Sequence, residues 1–282
     1  MTQKKILAVY LISKFCDPAN FKYFIDHYKK HKPGCKHDLL ICFKQIYPKK
    51  KLEFEMTLKR KKIKCNIFYD DHYENDYDFG SYYRIAKKFK KYIILFMNSH
   101  SRPMKKNWLK KLIENYSSKT FIGVNGSYSS YATNSFFRNH QDNYLVYLYK
   151  IIRNNILFFR FPNPHIRSSC FLIYSSDFIE FIKSSKIVFN TKFDAWLAES
   201  GKNGMSNYFK KKGFKLLVIN SKGKSFNEKN WKLSKTFCIG NQDNLLISDK
   251  HSRAYQESSE KQKRQIIKKV WGSNTKISLS IK

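Results

Sequence analysis

Three short stretches carry residue types that could do chemistry. Asn98-Ser99-His100-Ser101-Arg102 places an amide, hydroxyls, an imidazole and a guanidinium side by side. Asp78 stands two residues before Gly80 in an acidic island that also holds Asp70, Asp71, Glu74 and Asp76. Lys192 to Ser206 holds Asp194 and Glu199 around Trp196 and Leu197, and then Gly201 and Gly204. A polar turn can bind ligand atoms. A carboxylate beside a glycine can accept hydrogen bonds where the backbone comes close. A carboxylate among apolar groups can have a raised pKa and serve as a base. Each stretch also has a plainer reading. These are an ordinary loop, a solvated segment whose Asp78 caps a helix, and a solvated helix end with Gly201 as its C-cap.

The elements that would position these residues follow from periodicity. Tyr92 to Met97 is a short apolar run that ends at Asn98. Pro103 then stops the extended chain, and Trp108, Leu109, Leu112 and Ile113 follow at helical spacing. This predicts a buried central strand, a polar turn and a helix. Lys5 to Ser13, Asp38 to Ile46 and Lys64 to Tyr69 predict three earlier strands. Helices are expected from Pro18 to about Lys32, over Leu52 to Lys62 and over Ser81 to Lys90. Such alternation predicts a doubly wound α/β sheet. Ligands bind such sheets beyond the carboxyl ends of the strands, which points to the turn after Met97. Further on, Thr120 to Asn125, His165 to Tyr174 and Lys215 to Asn220, the last sheet strand, are expected to extend the sheet. Residues 131–164, with Asn134, Arg138 and His140 and an aromatic-basic helix, read as an insertion over the site.

Composition narrows the classes. Apolar residues make up 42% and aromatic residues 17%, so a large core is expected. No apolar run approaches the ~20 residues that span a bilayer. The N-terminal apolar run reads as a strand, not a signal peptide, which suggests a cytoplasmic protein. The cysteines, Cys16, Cys35, Cys42, Cys65, Cys170 and Cys238, show no C-x-x-C pair and read as reduced and mostly buried. The net charge is 55 − 21 = +34. Lysines spread along the chain suit a solvated surface better than a nucleic-acid site, for which arginine clusters or a motif would be expected. The tail from Ser258 to Trp271 is basic and amphipathic. It suits either a peripheral place at an anionic membrane or packing on the domain.

The order of four features resembles the GT-A fold glycosyltransferases, and is similar to the family-2-like enzymes of bacterial surface polysaccharide synthesis. They are the first strand ending near Ser13; Asp78-Phe79-Gly80-Ser81-Tyr82 with Arg84; Asn98 to Pro103 followed by Asn107-Trp108-Leu109; and Phe193 to Ser206 with Glu199-Ser200-Gly201-Lys202-Asn203. The resemblance covers roughly Ile6 to Tyr255, taken as one domain over residues 1–255 with a tail over 256–282. It implies a Rossmann-like, mostly parallel central sheet flanked by helices, with a helical insertion and a C-terminal helical tail.

The activity it implies is transfer of a sugar from a nucleotide-sugar donor to a hydroxyl of a glycan or lipid-linked acceptor. Tyr10 and Ser13 would border the base, and Asp78 would contact base or ribose. Gly80, Arg84, Asn98, Ser99 and His100 join the donor-binding residues. Glu199 would be the general base of an inverting displacement, with Asp194 second. Asn98-Ser99-His100 occupies the place of the family's Asp-x-Asp motif, without either aspartate. A divalent cation such as Mg or Mn prefers carboxylate oxygens, so metal dependence stays open. Arg102, Arg167, Lys202, Lys222 and His251 are the cations that would act on the leaving diphosphate instead. Two other readings stand: a nucleic-acid-binding or nucleotide-modifying α/β protein, and a catalytically inactive GT-A binding module.

Overall fold

The computed structural model describes residues 5–72, 76–134 and 143–273. Glu74, Arg138 and His140 lie outside the described residues. β1 (Lys5–Ser13) is buried on both faces from Leu7 to Ile12, as a continuous apolar run predicts. Asp17 caps α1 (Pro18–Lys30), accepting from the Ala19 N–H at 2.8 Å, with Pro18 at the first helical position. β2 (Asp38–Lys44), α2 (Pro48–Arg60) and β3 (Asn66–Asp70) follow. Helix α2 starts four residues ahead of the expected Leu52, because Pro48 takes its first turn. Next come α3 (Tyr77–Lys88), β4 (Tyr92–Met97), β5 (Arg102–Pro103) and α4 (Trp108–Ile113).

The second half holds β6 (Thr120–Gly123), β7 (Gly126–Ser127), α5 (Tyr131–Asn134) and α6 (Tyr144–Leu157). It continues with β8 (His165–Ile166), β9 (Cys170–Tyr174), α7 (Ser175–Ser185), α8 (Lys192–Ser200) and α9 (Met205–Lys211). β10 (Lys215–Ile219), β11 (Ser225–Asn227), a 3-10 helix (Glu228–Ser234), β12 (Ile247–Ser248), α10 (Lys250–Glu257) and α11 (Glu260–Trp271) complete it.

The main sheet runs β11-β10-β6-β9-β4-β1-β2-β3. β4, β1, β2 and β3 are parallel, as are β6 and β10. β9 runs antiparallel between β4 and β6, and β11 is antiparallel at the edge. Helices cover both faces over two apolar cores. This is the Rossmann-like, mostly parallel α/β layer that the resemblance implies.

Two expectations change. His165 to Tyr174 is two strands: His165–Ile166 pairs with β7 in a separate two-stranded sheet, and only Cys170–Tyr174 joins the main one. Lys215 to Asn220 is not the last sheet strand, since Ser225–Asn227 hairpins back onto it. The chain is extended again after the Asn98 turn, where Arg102–Pro103 pairs with Ile247–Ser248, and this short strand ends at Pro103. The tail's apolar face is covered, with Ile267, Val270 and Trp271 buried and Trp271 Nε1 donating to the Phe237 carbonyl at 2.9 Å. All six cysteines are free, and Cys16, Cys42, Cys170 and Cys238 are buried.

Candidate functional site

The carboxyl end of β4 is the framework of the site. Asn98 donates its N–H to the Ser169 carbonyl at 3.0 Å and accepts from the Ser101 N–H at 3.0 Å. Its side-chain oxygen accepts from the His100 N–H at 3.1 Å and the Ser101 hydroxyl at 3.2 Å. The Tyr10 hydroxyl donates to the Ser99 carbonyl at 2.7 Å, and Arg253 donates to the His100 carbonyl at 2.9 Å. The turn is therefore clamped from β1, from the segment before β9 and from α10. Burial, with Arg253 and Lys250 nearby, lowers the pKa of His100, so its ring is neutral at pH 7.

The break between β8 and β9 brings a polar cluster against that turn. Glu199, only 8% exposed, accepts from the Ser168 N–H at 2.7 Å and the Ser168 hydroxyl at 2.5 Å. Arg167 lies 3.5 Å from its other oxygen. Burial pushes the Glu199 pKa up. Arg167 and the two Ser168 bonds outweigh burial and hold it below the ordinary carboxylate value. A raised pKa at this position is thus corrected to a lowered one. His165 Nδ1 donates to the Asn163 carbonyl at 2.8 Å, and burial lowers its pKa, so its 3.8 Å contact with Glu199 is not an ion pair.

Asp249 is the residue that sequence reasoning missed. It is 2% exposed and caps α10, accepting from the Ser252 N–H at 2.7 Å. Its second oxygen accepts from the Ser169 hydroxyl at 2.8 Å. Burial raises its pKa, but Arg167 and the Ser252 N–H bring it below the usual range. The readable signal is Asp249 three residues before Ser252, the spacing of a capping box. That this cap would meet Ser169 is a tertiary fact.

A cavity of about 250 Å³ opens beside the cluster, with Arg167, His251, Tyr131, Ser129, Tyr255 and Lys269 in its walls. The Arg167 Nε and Tyr255 hydroxyl are buried without a hydrogen-bonding partner among the described residues. Tyr131 stacks on Trp196 of α8 at 4.7 Å, so the region expected as an insertion does reach the cavity.

The predicted residues divide sharply. The Asn98–Ser99–His100 turn, Arg167, Glu199 and His251 come together through Ser168, Ser169 and the cavity wall. Ser13 ends β1, and its carbonyl accepts from the Cys16 N–H at 2.8 Å. Asp78 is half-buried in the first turn of α3, which packs against α8. It has no hydrogen bond or ion pair among the described residues, and burial raises its pKa. Asp76, not Asp78, is the N-cap of α3.

Others are committed elsewhere. Tyr10 is fully buried and stacked on Phe24 at 3.7 Å, so it supports the turn and borders no ligand. Arg84 pairs bidentately with Asp70, at 2.7 and 2.6 Å, and also with Asp76. Lys44 closes that network on Asp76. Gly80 makes room for the network rather than for a ligand, since a Cβ there would meet Asp76 Oδ2 at 1.8 Å. Asp194 forms the capping box of α8 with Thr191 through one carboxylate oxygen. Arg102 lies 4.4 Å over the Tyr23 ring and bonds Asn20 at 2.8 Å. Lys202 ties to the Asn155 carbonyl at 3.0 Å, and Lys222 is exposed in the β10–β11 turn.

The donor set fits a divalent cation poorly. The Asn98 oxygen is spent on its own turn, and both oxygens of Asp249 are engaged. Among the described residues no group of three or more His, Cys, Asp or Glu side chains could hold a metal. The cationic Arg167 is the charge these residues offer an anion.

No family model matches the chain, and no curated protein matches it. Among solved structures it is similar to the bifunctional glycosyltransferase WbbM, with TM-score 0.45 and 8% identity over 69% of this chain and 37% of that one. It is similar to the galactosyltransferase LgtC bound to donor and acceptor sugar analogues, with TM-score 0.43 and 8% identity over 77% and 74%. It is equally similar, at TM-score 0.43 and 11% identity over 76% and 88%, to 4-diphosphocytidyl-2C-methyl-D-erythritol synthase from Anaerococcus prevotii. The chain thus spans little more than a third of the length of WbbM. At these values the likenesses carry no argument about chemistry. What the coordinates themselves define is a Rossmann-like α/β protein with a polar cluster at the carboxyl rim of its sheet.

Proposed function

We propose that this chain is a glycosyltransferase that moves a sugar from a nucleotide-sugar donor to a hydroxyl of a glycan or lipid-linked acceptor, with inversion. The observation that carries this is Glu199. It is an almost fully buried carboxylate held ionised beside the Asn98 turn, at the rim where ligands meet such sheets. An ionised carboxylate can take the proton of an acceptor hydroxyl. The oxygen's electron pair then forms the bond to the anomeric carbon, and the bond from that carbon to the diphosphate breaks, its electron pair leaving with the nucleotide. Arg167, whose Nε lacks a hydrogen-bonding partner among the described residues, would offset the charge that develops on the leaving group. Asp78 has a carboxylate without a hydrogen-bonding partner among the described residues and is the residue we assign to the base or ribose. The donor side thus rests on Asp78, Ser13 and the half-buried Asn98 turn.

Replacing Glu199 by Gln keeps its shape and removes the base. Turnover of the productive nucleotide sugar should then fall by about 10²–10⁴-fold with the fold intact. The full engagement of Glu199 by Ser168 favours a second reading, an inactive binding module. In that case nucleotide diphosphates would raise the melting temperature while no nucleotide sugar is turned over by the native chain.

A further inference from the structure

Helix α6 is built inside out. Its one buried residue is Asn154. Its exposed residues include Tyr144 at 60%, Leu145 at 72%, Tyr149 at 60%, Ile152 at 60% and Ile156 at 63%. Leu145, Tyr149, Ile152 and Ile156 recur at helical spacing and so form one stripe along the helix. Val146, Leu148 and, just past the helix end, Phe159 are exposed as well. A contiguous apolar surface of this kind marks an interaction site.

Charge decides what it meets. From Asn143 to Ser176 the chain has no Asp or Glu, while Lys150, Arg153, Arg160 and Arg167 fall within it. The whole chain carries +34. A second copy would bring the same charge to the same face, and the two would repel. An anionic lipid surface offers both what the stripe lacks, an apolar phase, and what the surrounding charge attracts. The tyrosines suit the boundary between headgroups and acyl chains. At about 1.5 Å per residue the helix is too short to span a bilayer but can lie along one. No helix among the described residues is long and apolar enough to cross a membrane.

We propose that α6 is a monotopic membrane anchor that lies in the interface of an anionic bilayer through Leu145, Tyr149, Ile152 and Ile156. The surface is distinct from α11, whose apolar side is packed against the domain. Because α6 packs on α5, which carries Tyr131 of the cavity wall, docking holds the cavity close to the lipid surface. The proposal does not depend on the reaction assigned above.

The test uses the full chain and vesicles of phosphatidylcholine with or without phosphatidylglycerol. The native chain should co-sediment with the anionic vesicles. The double variant Leu145→Gln, Ile152→Gln, which leaves charge and core unchanged, should lose at least roughly tenfold in partitioning, since two large side chains no longer enter the apolar phase. In Leu145→Trp the added emission should shift to the blue and be quenched by brominated lipid, a readout that needs no loss of function. Undiminished binding by the double variant, or an added tryptophan that stays water-exposed on bound vesicles, overturns the proposal. A native chain that ignores vesicles but is a dimer, with the double variant a monomer, overturns it in favour of self-association.

Discussion

Glu199 and Asp249 are two buried carboxylates that share the charge of Arg167 but differ in their hydrogen-bond partners. Glu199 leans on Arg167 and Ser168, whereas Asp249 holds a helix start and Ser169 together. Asn would keep the cap of α10 but lose the charge and the oxygen that accepts from the Ser169 hydroxyl, so Asp249→Asn should cost about 1–3 kcal/mol in urea unfolding. A full cost below that range would mean that the cluster tolerates the loss of its second anion. Both carboxylates have folded pKa values below their unfolded ones. Asp76 joins them, because Arg84 and Lys44 outweigh its burial. Groups of this sign stabilise the fold fully above their unfolded pKa, about 4, and lose that contribution as pH falls through the folded value. Buried His100 and His165, whose folded pKa values are lowered, add a loss that begins as pH falls through about 6.5. Thermal melts should therefore decline gradually below about pH 6.5 and drop steeply below about pH 4.

At the scale of elements, what was readable was what local pattern controls. The apolar runs of β1, β2, β4 and β10, the Asp17-Pro18 start of α1 and the polar turn after Met97 follow from residue type and period. The order of the strands, and the antiparallel β9 between β4 and β6, depend on pairing that no local pattern encodes. The same limit shaped the site. Glu199 was legible as a carboxylate beside a glycine, but its lowered pKa comes from Arg167 and Ser168, more than thirty residues away. The resemblance implies a donor contact for Arg84, but its partners are Asp70 and Asp76, in a segment that reads as a solvated acidic loop. Gly80 shows how a motif can be structural. Ala at this position drives a methyl into the Asp76 carboxylate and should destabilise by about 1–3 kcal/mol, with the Arg84 network broken. Equal stability of native and Gly80→Ala chains in urea would show that α3 can shift at no cost.

For the whole molecule, the C-terminal helices belong to the body. Trp271 is buried against Tyr128, with ring centroids 5.0 Å apart, and bonds the Phe237 carbonyl. Trp271→Ala should cost about 3–5 kcal/mol, read as a lower urea midpoint. A small loss would instead mean that this helix detaches readily. The high positive charge acts at this scale too, as attraction for phosphates in general. Nucleic-acid binding driven by that charge alone should weaken steeply between low and physiological salt, whereas a nucleotide diphosphate held in a formed site should stabilise the chain at both.

The central claim is that the Glu199 carboxylate takes a proton during sugar transfer. The most direct measurement is single-turnover transfer from a panel of nucleotide sugars by the native chain and by Glu199→Gln at matched donor occupancy. A fall of about 10²–10⁴-fold in rate, with donor binding retained, is the result expected. Transfer by Glu199→Gln at the native rate would contradict the account.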